Sequence, residues 1–391
     1  MDTDPSAKPN PDLVAMPVNR PDPQPRPPQD GIGLCLSGGG YRAMLFHVGT
    51  LWRLYDSGWL NRIDRISSVS GGSITSAVLA LAWPKLSFNP ADPADFMAQV
   101  VTPIRKLAGR TIDIGPIFWG SLLPGGVASR IARAYRKHLF GRATLQALPD
   151  QPRFVINATN MQSAALWRFS KPYMGDWRVG RVLNPRVELA DAVAASSAFP
   201  PFLSPFTLDL DPKSFLADPT AGLQHEPYTR RAILSDGGVY DNLGLETVWK
   251  HYRTVLVSDA GMKISPEAAP WRDWILATKR MADIIDSQVR SLRNRQLMAS
   301  YQEPTSSPNH RKGAYWSIRT NIQAYAAPNT LDCPFDRTQL LAATPTRLAK
   351  LDRGAQERLI NWGYAVCDAA IRTHFDPSIP APAQFPYPSG V

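Results

Sequence analysis

The chain has 391 residues, 44% hydrophobic and 19% charged, a balance that excludes a wholly disordered polypeptide. Three cysteines (Cys35, Cys333 and Cys367) are too few and too scattered for a disulfide framework, and no C-x-x-C or H-x-x-x-H spacing supports structural zinc. With 43 Lys and Arg against 33 Asp and Glu the net charge is +10, which suits an anionic lipid surface, a nucleic acid or plain solubility.

Residues 1–30 hold nine prolines and residues 376–391 hold five. Proline fixes φ and lacks an N–H, so both segments are expected as extended tails without helix or central strand. The first tail has three basic and five acidic side chains, which leaves about +12 (40 minus 28) on the rest. Residues 1–30 show no basic segment followed by an apolar core, so a Sec-type signal is not expected. Nor does any apolar run approach the roughly 20 residues of a membrane-spanning helix. The expectation is a cytoplasmic protein that meets membranes, if at all, at their surface.

Residues 31–375 read as one α/β domain with a helical insertion at about 85–150. A buried strand at 32–36 runs through Gly38-Gly39-Gly40 into a helix carrying Met44, Val48, Leu51, Leu54 and Tyr55, with Gly58 at its stop. A second strand, 63–69, runs through Ser70-Gly71-Gly72 into a helix at 74–82. The insertion predicts helices at 95–110 and 126–140 around an apolar stretch at 114–123. Strands are predicted at 154–158, 166–169, 232–234 and 254–257, a helix at 189–196, an edge strand at 313–318 and a last helix at 355–374. A long amphipathic helix is expected over 271–300, with Trp274, Met281, Ile285, Val289 and Leu292 as a stripe that packs on the core in preference to facing a membrane. Together these elements predict a central, mostly parallel sheet flanked by helices.

Three turns could carry chemistry. In Ser68-Val69-Ser70-Gly71-Gly72 a serine on a sharp strand-to-helix turn would project its hydroxyl above the sheet, over a helix N-terminus. The usual pattern is G-x-S-x-G; here Ser68 replaces the first glycine. In Ser37-Gly38-Gly39-Gly40-Tyr41-Arg42, consecutive glycines can aim several N–H groups into one cavity. No Gly-Lys-Ser/Thr follows and G-x-G-x-x-G does not fit. An oxyanion hole or a tight turn remains, with Arg42 adding charge or bracing the loop. The third is Ser235-Asp236-Gly237-Gly238-Val239-Tyr240-Asp241-Asn242, with its acid at a strand end where open α/β sheets bind ligands. Asp236 is the favoured general base for Ser70, over Asp259 in a similar setting, because paired glycines leave room for a substrate.

These motifs, in this order, resemble those of the patatin-like phospholipases: a G-G-G-x-Arg/Lys loop, a G-x-S-x-G elbow and an Asp-Gly-Gly/Ala acid. Asn157-Ala158-Thr159-Asn160 and Ala195-Ser196-Ser197-Ala198-Phe199-Pro200 add to the resemblance, which covers about residues 31–261. It implies a patatin-like fold and a Ser70–Asp236 dyad acting through an acyl-enzyme. Gly38, Gly39, Gly40 and Arg42 would form the oxyanion site, with phospholipid or another lipid ester as substrate and neither metal nor cofactor. A Ser-His-Asp esterase is the alternative, with His251, His310 or His374 as its histidine. A catalytically inactive lipid-binding or signalling module is the other. His47 reads as a packed helix residue.

Basic residues cluster in the insertion at Arg105, Lys106, Arg110, Arg130, Arg133, Arg136 and Lys137, with Asp113 the only acid among them. Flanking the apolar 114–123 segment, they allow two readings: an insertion that docks on an anionic membrane surface and covers the active site as a lid, or an ordinary packed insertion with a solvated basic helix. No basic-aromatic repeat supports a nucleic-acid partner.

Overall fold

The computed structural model describes residues 27–113 and 126–391, apart from positions 202, 263, 265, 271 and 272. Most of the first proline-rich segment and the 114–123 stretch, with its expected lid role, lie outside the described residues. In chain order the strands are β1 (Gln29–Leu36), β2 (Arg65–Val69), β3 (Arg153–Asn160), β4 (Ala165–Phe169), β5 (Tyr173–Asp176) and β6 (Gly180–Leu183). They continue with β7 (Phe206–Asp209), β8 (Phe215–Leu216), β9 (Arg231–Asp236), β10 (Tyr252–Asp259) and β11 (Lys312–Ser317).

The apolar runs behave as parallel strands buried on both faces do. Leu34, Cys35 and Leu36 are fully buried, as are Val255, Leu256 and Val257. The order β11-β10-β1-β2-β3 is parallel throughout. Beyond β3 the sheet turns antiparallel through β4, β5, β6 and β8. The sheet is therefore mixed, with a parallel centre. Strands β5 to β8 were not among the expected elements; at two to four residues each, they are too short to display a period.

One pairing places the site. The first half of β3 pairs in parallel with β2, ending at Val69 opposite Asn157. The last three residues of β3 pair instead with β9, which runs antiparallel, and Asp236 lies opposite Ala158. Strands β2 and β9 thus meet tip to tip beside β3. The 232–234 run was expected to join a mostly parallel sheet; its reversal brings its carboxyl end against that of β2.

Helix α1 (Gly40–Asp56) follows the glycine loop and α2 (Gly71–Ala82) follows Ser70. The insertion supplies Thr102–Ala108 and α3 (Gly126–Tyr135); α4 (Leu189–Ser196), α5 (Trp274–Gln302) and α6 (Arg353–His374) complete the larger helices. Helices α1 and α6 cross at two glycines, since a Cβ on Gly49 would overlap the Ile360 carbonyl and one on Gly363 the Phe46 carbonyl. No helix among the described residues is long and apolar enough to cross a membrane.

Two expectations need correction. Three residues of the expected α5 stripe stay out of the core: Met281, Ile285 and Leu292 are 55%, 62% and 58% exposed. The inward face instead carries Leu297, fully buried in an apolar cluster with Cys35, Val255 and Val257, and a set of polar contacts. Arg290 is buried and donates to the Met262 carbonyl at 2.6 Å, and Asp286 meets Asn242. A buried guanidinium must keep its partners, so its face turns inward whatever the apolar periodicity.

The carboxyl-terminal proline-rich segment has no helix or strand, yet it is not a free tail. Asn361 of α6 donates to the carbonyls of Tyr387 and Gly390, both at 2.8 Å, and accepts from the Tyr387 N–H at 3.0 Å. Arg53, which pairs with the buried Asp368 at 2.7 Å, also donates to the Pro380 carbonyl at 2.6 Å. Side chains of the body take the place of the ladder that proline denies. Asn361→Ala should cost about 1–3 kcal/mol, because it leaves the partly buried carbonyls of Tyr387 and Gly390 without this donor. Denaturant unfolding checks this, and an unchanged midpoint would show that the segment adds nothing.

Candidate active site

Ser70 sits between β2 and α2 with φ 51° and ψ −119°, a conformation costly for any residue with a Cβ. Its neighbours hold it there. The Ser70 N–H donates to Ser196 Oγ at 3.0 Å, and Ser196 Oγ meets Ser73 Oγ at 2.9 Å. The two following glycines permit close approach, since a Cβ on Gly71 would strike the Gly40 carbonyl and one on Gly72 the Leu36 carbonyl. Ser68 is accommodated as a buried residue whose hydroxyl accepts from Ser73 Oγ at 3.1 Å. The departure from glycine thus leaves the elbow formed.

Asp236 ends β9 and is buried. Its N–H donates to the Ala198 carbonyl at 2.9 Å, its carbonyl accepts from Thr159 Oγ1 at 2.8 Å, and Oδ1 accepts from the Gly238 N–H at 2.7 Å. Oδ2 has no hydrogen-bond partner among the described residues. The Ser70 hydroxyl is near enough to favour the ionised form without completing a hydrogen bond, a looseness common before substrate binds. Burial, reinforced by the charge of Asp286, pushes the Asp236 carboxyl up to about 7 against the pull of Gly238 and Ser70. Ser70 and Asp236 line one cavity of about 490 Å³, together with Gly38, Gly39, Gly40 and Arg42.

The glycine loop divides its donors. Gly39 (φ 143°) and Gly40 (φ 60°) adopt backbone that favours glycine, and neither N–H has a partner among the described residues. The Gly38 N–H is already engaged: it donates to the Asn242 carbonyl at 3.1 Å and to Asn242 Oδ1 at 3.0 Å. Gly38 therefore shapes the loop, and the expectation that it joins Gly39 and Gly40 as a donor is corrected. Arg42 is a brace. It donates to the Ala260 carbonyl through Nε and Nη2 at 3.1 and 2.9 Å, and to the Thr344 carbonyl through Nη1 at 2.5 Å.

The rivals fall elsewhere. Asp259 faces Arg290 and Arg319 and accepts from Tyr315 at 2.8 Å. Burial opposes its charge, but Arg290, Arg319 and the hydrogen bonds from the Gly261 N–H and Tyr315 hold it below the usual carboxylate range, and it does not line the cavity. Among the described residues no histidine lines it either. His47 is packed, with Nδ1 at 2.9 Å from Ser258 Oγ and Nε2 at 2.9 Å from the Ser37 carbonyl.

The sequence reading missed residues that shape this cavity. Asn242 closes the Asp-Gly-Gly run and bridges to Asp286 on α5 at 3.3 and 3.4 Å. The sequence motif ends on Asn242 without giving it a role; nothing local marks Asp286. Arg347 lies on the wall, paired with Asp113 at 3.1 Å, and its carbonyl accepts from the Tyr41 N–H at 3.0 Å.

A parallel-centred α/β sheet, with a serine elbow and an aspartate at converging strand tips, defines an acyl-hydrolase type of architecture. The sequence profile described as "Patatin-like phospholipase" matches residues 34–249, more than half of the chain. The chain belongs to that family. No curated protein matches it. Among solved structures it is similar to human GIVD cytosolic phospholipase A2, at 14% identity and a TM-score of 0.51, covering 90% of this chain and 62% of that one. The same human enzyme in complex with methyl gamma-linolenyl fluorophosphonate matches at 14% identity and a TM-score of 0.49, over 90% and 59% of the two chains. VipD from Legionella pneumophila matches at 13% identity and a TM-score of 0.31, over 86% and 74%. This chain thus spans less than two thirds of the human enzyme's length. At such identity the first likeness speaks to the fold.

Proposed function

We propose that the chain hydrolyses carboxylic ester bonds of glycerophospholipids through a Ser70–Asp236 dyad. The supporting observation is the tip-to-tip meeting of β2 and β9, which brings a hydroxyl, an unpartnered carboxylate oxygen and two free N–H groups to one cavity. Asp236 Oδ2 takes the Ser70 proton as Oγ attacks the ester carbonyl. The N–H groups of Gly39 and Gly40 receive the negative charge on the carbonyl oxygen. The tetrahedral intermediate collapses, the alcohol leaves with the proton held by Asp236, and an acyl-Ser70 ester remains. Water then attacks that ester while Asp236 takes its proton; the fatty acid departs and Ser70 recovers its hydrogen. Hydrolysis of a mixed lipid extract read by mass spectrometry tests this. The expected products are free fatty acid and lysophospholipid, both missing with Ser70→Ala; an unchanged lipid profile with the wild type sinks the reading.

Access to lipid is proposed to run through the basic insertion. Arg105 and Arg136 are already committed, to Glu357 at 2.7 Å and to Glu188. Lys106, Arg110, Arg133 and Lys137 are exposed, and after partial burial it is Arg110 and Lys137 that lower His138. An attraction of about 1 kcal/mol per cation near an anionic surface makes three of them worth roughly a hundredfold in binding. Reversing Arg110, Arg133 and Lys137 to Glu should therefore remove co-sedimentation with phosphatidylglycerol vesicles. Undiminished binding rules the insertion out as the docking element.

A further inference from the structure

A second concavity opens at the opposite edge of the parallel sheet, where the strands begin. It measures about 810 Å³, and the basic side chains Arg65, Arg153, Lys250, His251 and Arg311 line it with no carboxylate among them. Strand register imposes this crowding. Arg65 and Arg153 open β2 and β3 and are direct Cα partners, while His251 and Arg311 immediately precede β10 and β11. Like charges on adjacent strands repel.

Little in the protein offsets that repulsion. Arg65, only 7% exposed, donates to the Thr247 carbonyl at 2.6 Å, and its Nε has no partner among the described residues. Arg311, 3% exposed, donates to the carbonyls of Trp249, Pro308 and His310 at 3.0, 3.0 and 2.8 Å. Lys250 has Glu246 at 2.6 Å, but no carboxylate pairs with Arg65, Arg153 or Arg311 among the described residues. Two guanidinium groups lie over aromatic rings, Arg65 over Tyr252 at 5.2 Å and Arg311 over Trp249 at 4.6 Å. The neighbours register the field. Partial burial, then Arg65, Arg168 and Arg153, push His251 down to about 4. Burial would raise the Tyr173 phenol, yet Arg168, Arg65 and Arg153 hold it below its usual value.

We propose that this cavity binds a multiply charged, phosphate-bearing anion between Arg65, Arg153 and Arg311. Guanidinium forks match phosphate oxygens and stay charged when desolvated, and a bound anion relieves the repulsion along the strand starts. The source of the phosphate is a soluble compound. This part rests on the lipid-hydrolase reading: a bilayer feeding the Ser70 cavity lies at the carboxyl ends of the strands, so its head groups do not reach the other edge.

The test is calorimetric titration of the full chain with tripolyphosphate, beside flotation with phosphatidylcholine vesicles carrying phosphatidylinositol bisphosphate. Arg153, half-buried and without an ion pair among the described residues, can be truncated without stranding a partner. Arg153→Ala should weaken tripolyphosphate binding about tenfold or more, and the exposed Arg337→Ala should leave it unchanged. Bound tripolyphosphate should also raise the His251 pKa followed by NMR, which mere surface adsorption would not. Absence of saturable binding, or equal binding by Arg153→Ala and wild type, overturns the site. Vesicle binding that Arg153→Ala abolishes, without tripolyphosphate binding, overturns the soluble source.

Discussion

Ser70→Ala is expected to lower ester hydrolysis by roughly 10⁴-fold or more, the scale on which serine hydrolases lose their nucleophile, and to abolish labelling by a fluorophosphonate. Under the proposed mechanism the residual rate would come from Gly39 and Gly40, whose N–H groups have no partner among the described residues and so are left for the carbonyl oxygen. Folding is not at stake, because alanine meets the same backbone at φ 51° that serine does. Ser70→Gly separates the two demands on this position. It removes the hydroxyl and also the Cβ that makes this backbone costly, so it should be equally inactive and about 1 kcal/mol more stable than Ser70→Ala. Measuring both variants by labelling and by denaturant midpoint decides the matter. A labelled Ser70→Ala protein would place the nucleophile elsewhere. A Ser70→Gly protein no more stable than Ser70→Ala would mean that the elbow holds no strain.

Those two substitutions bear on the part of the fold that is legible from the sequence. Ser70, Gly71 and Gly72 declare themselves because turn chemistry is local: a strand-to-helix reversal tight enough to bring Gly71 against Gly40 tolerates few side chains. The same holds for the glycine loop and for Asp236, each at the end of an apolar run. What joins them is not local. Nothing in residues 231–236 says that this strand runs antiparallel to β3 and ends against β2, since direction is set by the path of the preceding 70 or so residues. Asn242 and Asp286 act through contacts 204 and 44 residues apart in sequence. The α5 stripe misleads for a related reason: periodicity reports that a helix has two unlike faces, and the partners of Arg290, Asp286 and Leu297, all distant in sequence, decide which one is buried. Proline content correctly removes helix and strand from residues 376–391, yet says nothing of the Asn361 and Arg53 side chains that hold them.

Asp236→Asn should reduce hydrolysis by about 10³–10⁴-fold, because an amide cannot take the Ser70 proton. Its pH signature is more telling than its size. A base works ionised, and burial with the Asp286 charge pushes this carboxyl up to about 7. Activity of the wild type should therefore hold a plateau above about pH 7 and fall tenfold per pH unit below it. Asp286→Asn removes the charge that adds to burial in raising Asp236, so its acid limb should move to lower pH while the plateau survives.

Stability runs the other way. The folded-state pKa lies above the unfolded value of about 3.9, so the folded protein holds this proton more tightly. The contribution is full below about pH 4 and is lost as pH rises through about 7, where the fold must keep an ionised carboxylate in a buried site. Asparagine carries no charge in that window, so the melting temperature of Asp236→Asn relative to wild type should rise between about pH 4 and about pH 8. A base tuned by burial must show both trends together. An acid limb near the ordinary carboxylate range with no pH-dependent gain in stability would mean that Asp236 is neither strained nor the base. A raised limb without the stability trend would assign the titration to another group facing Ser70, with Asp286 first to be examined.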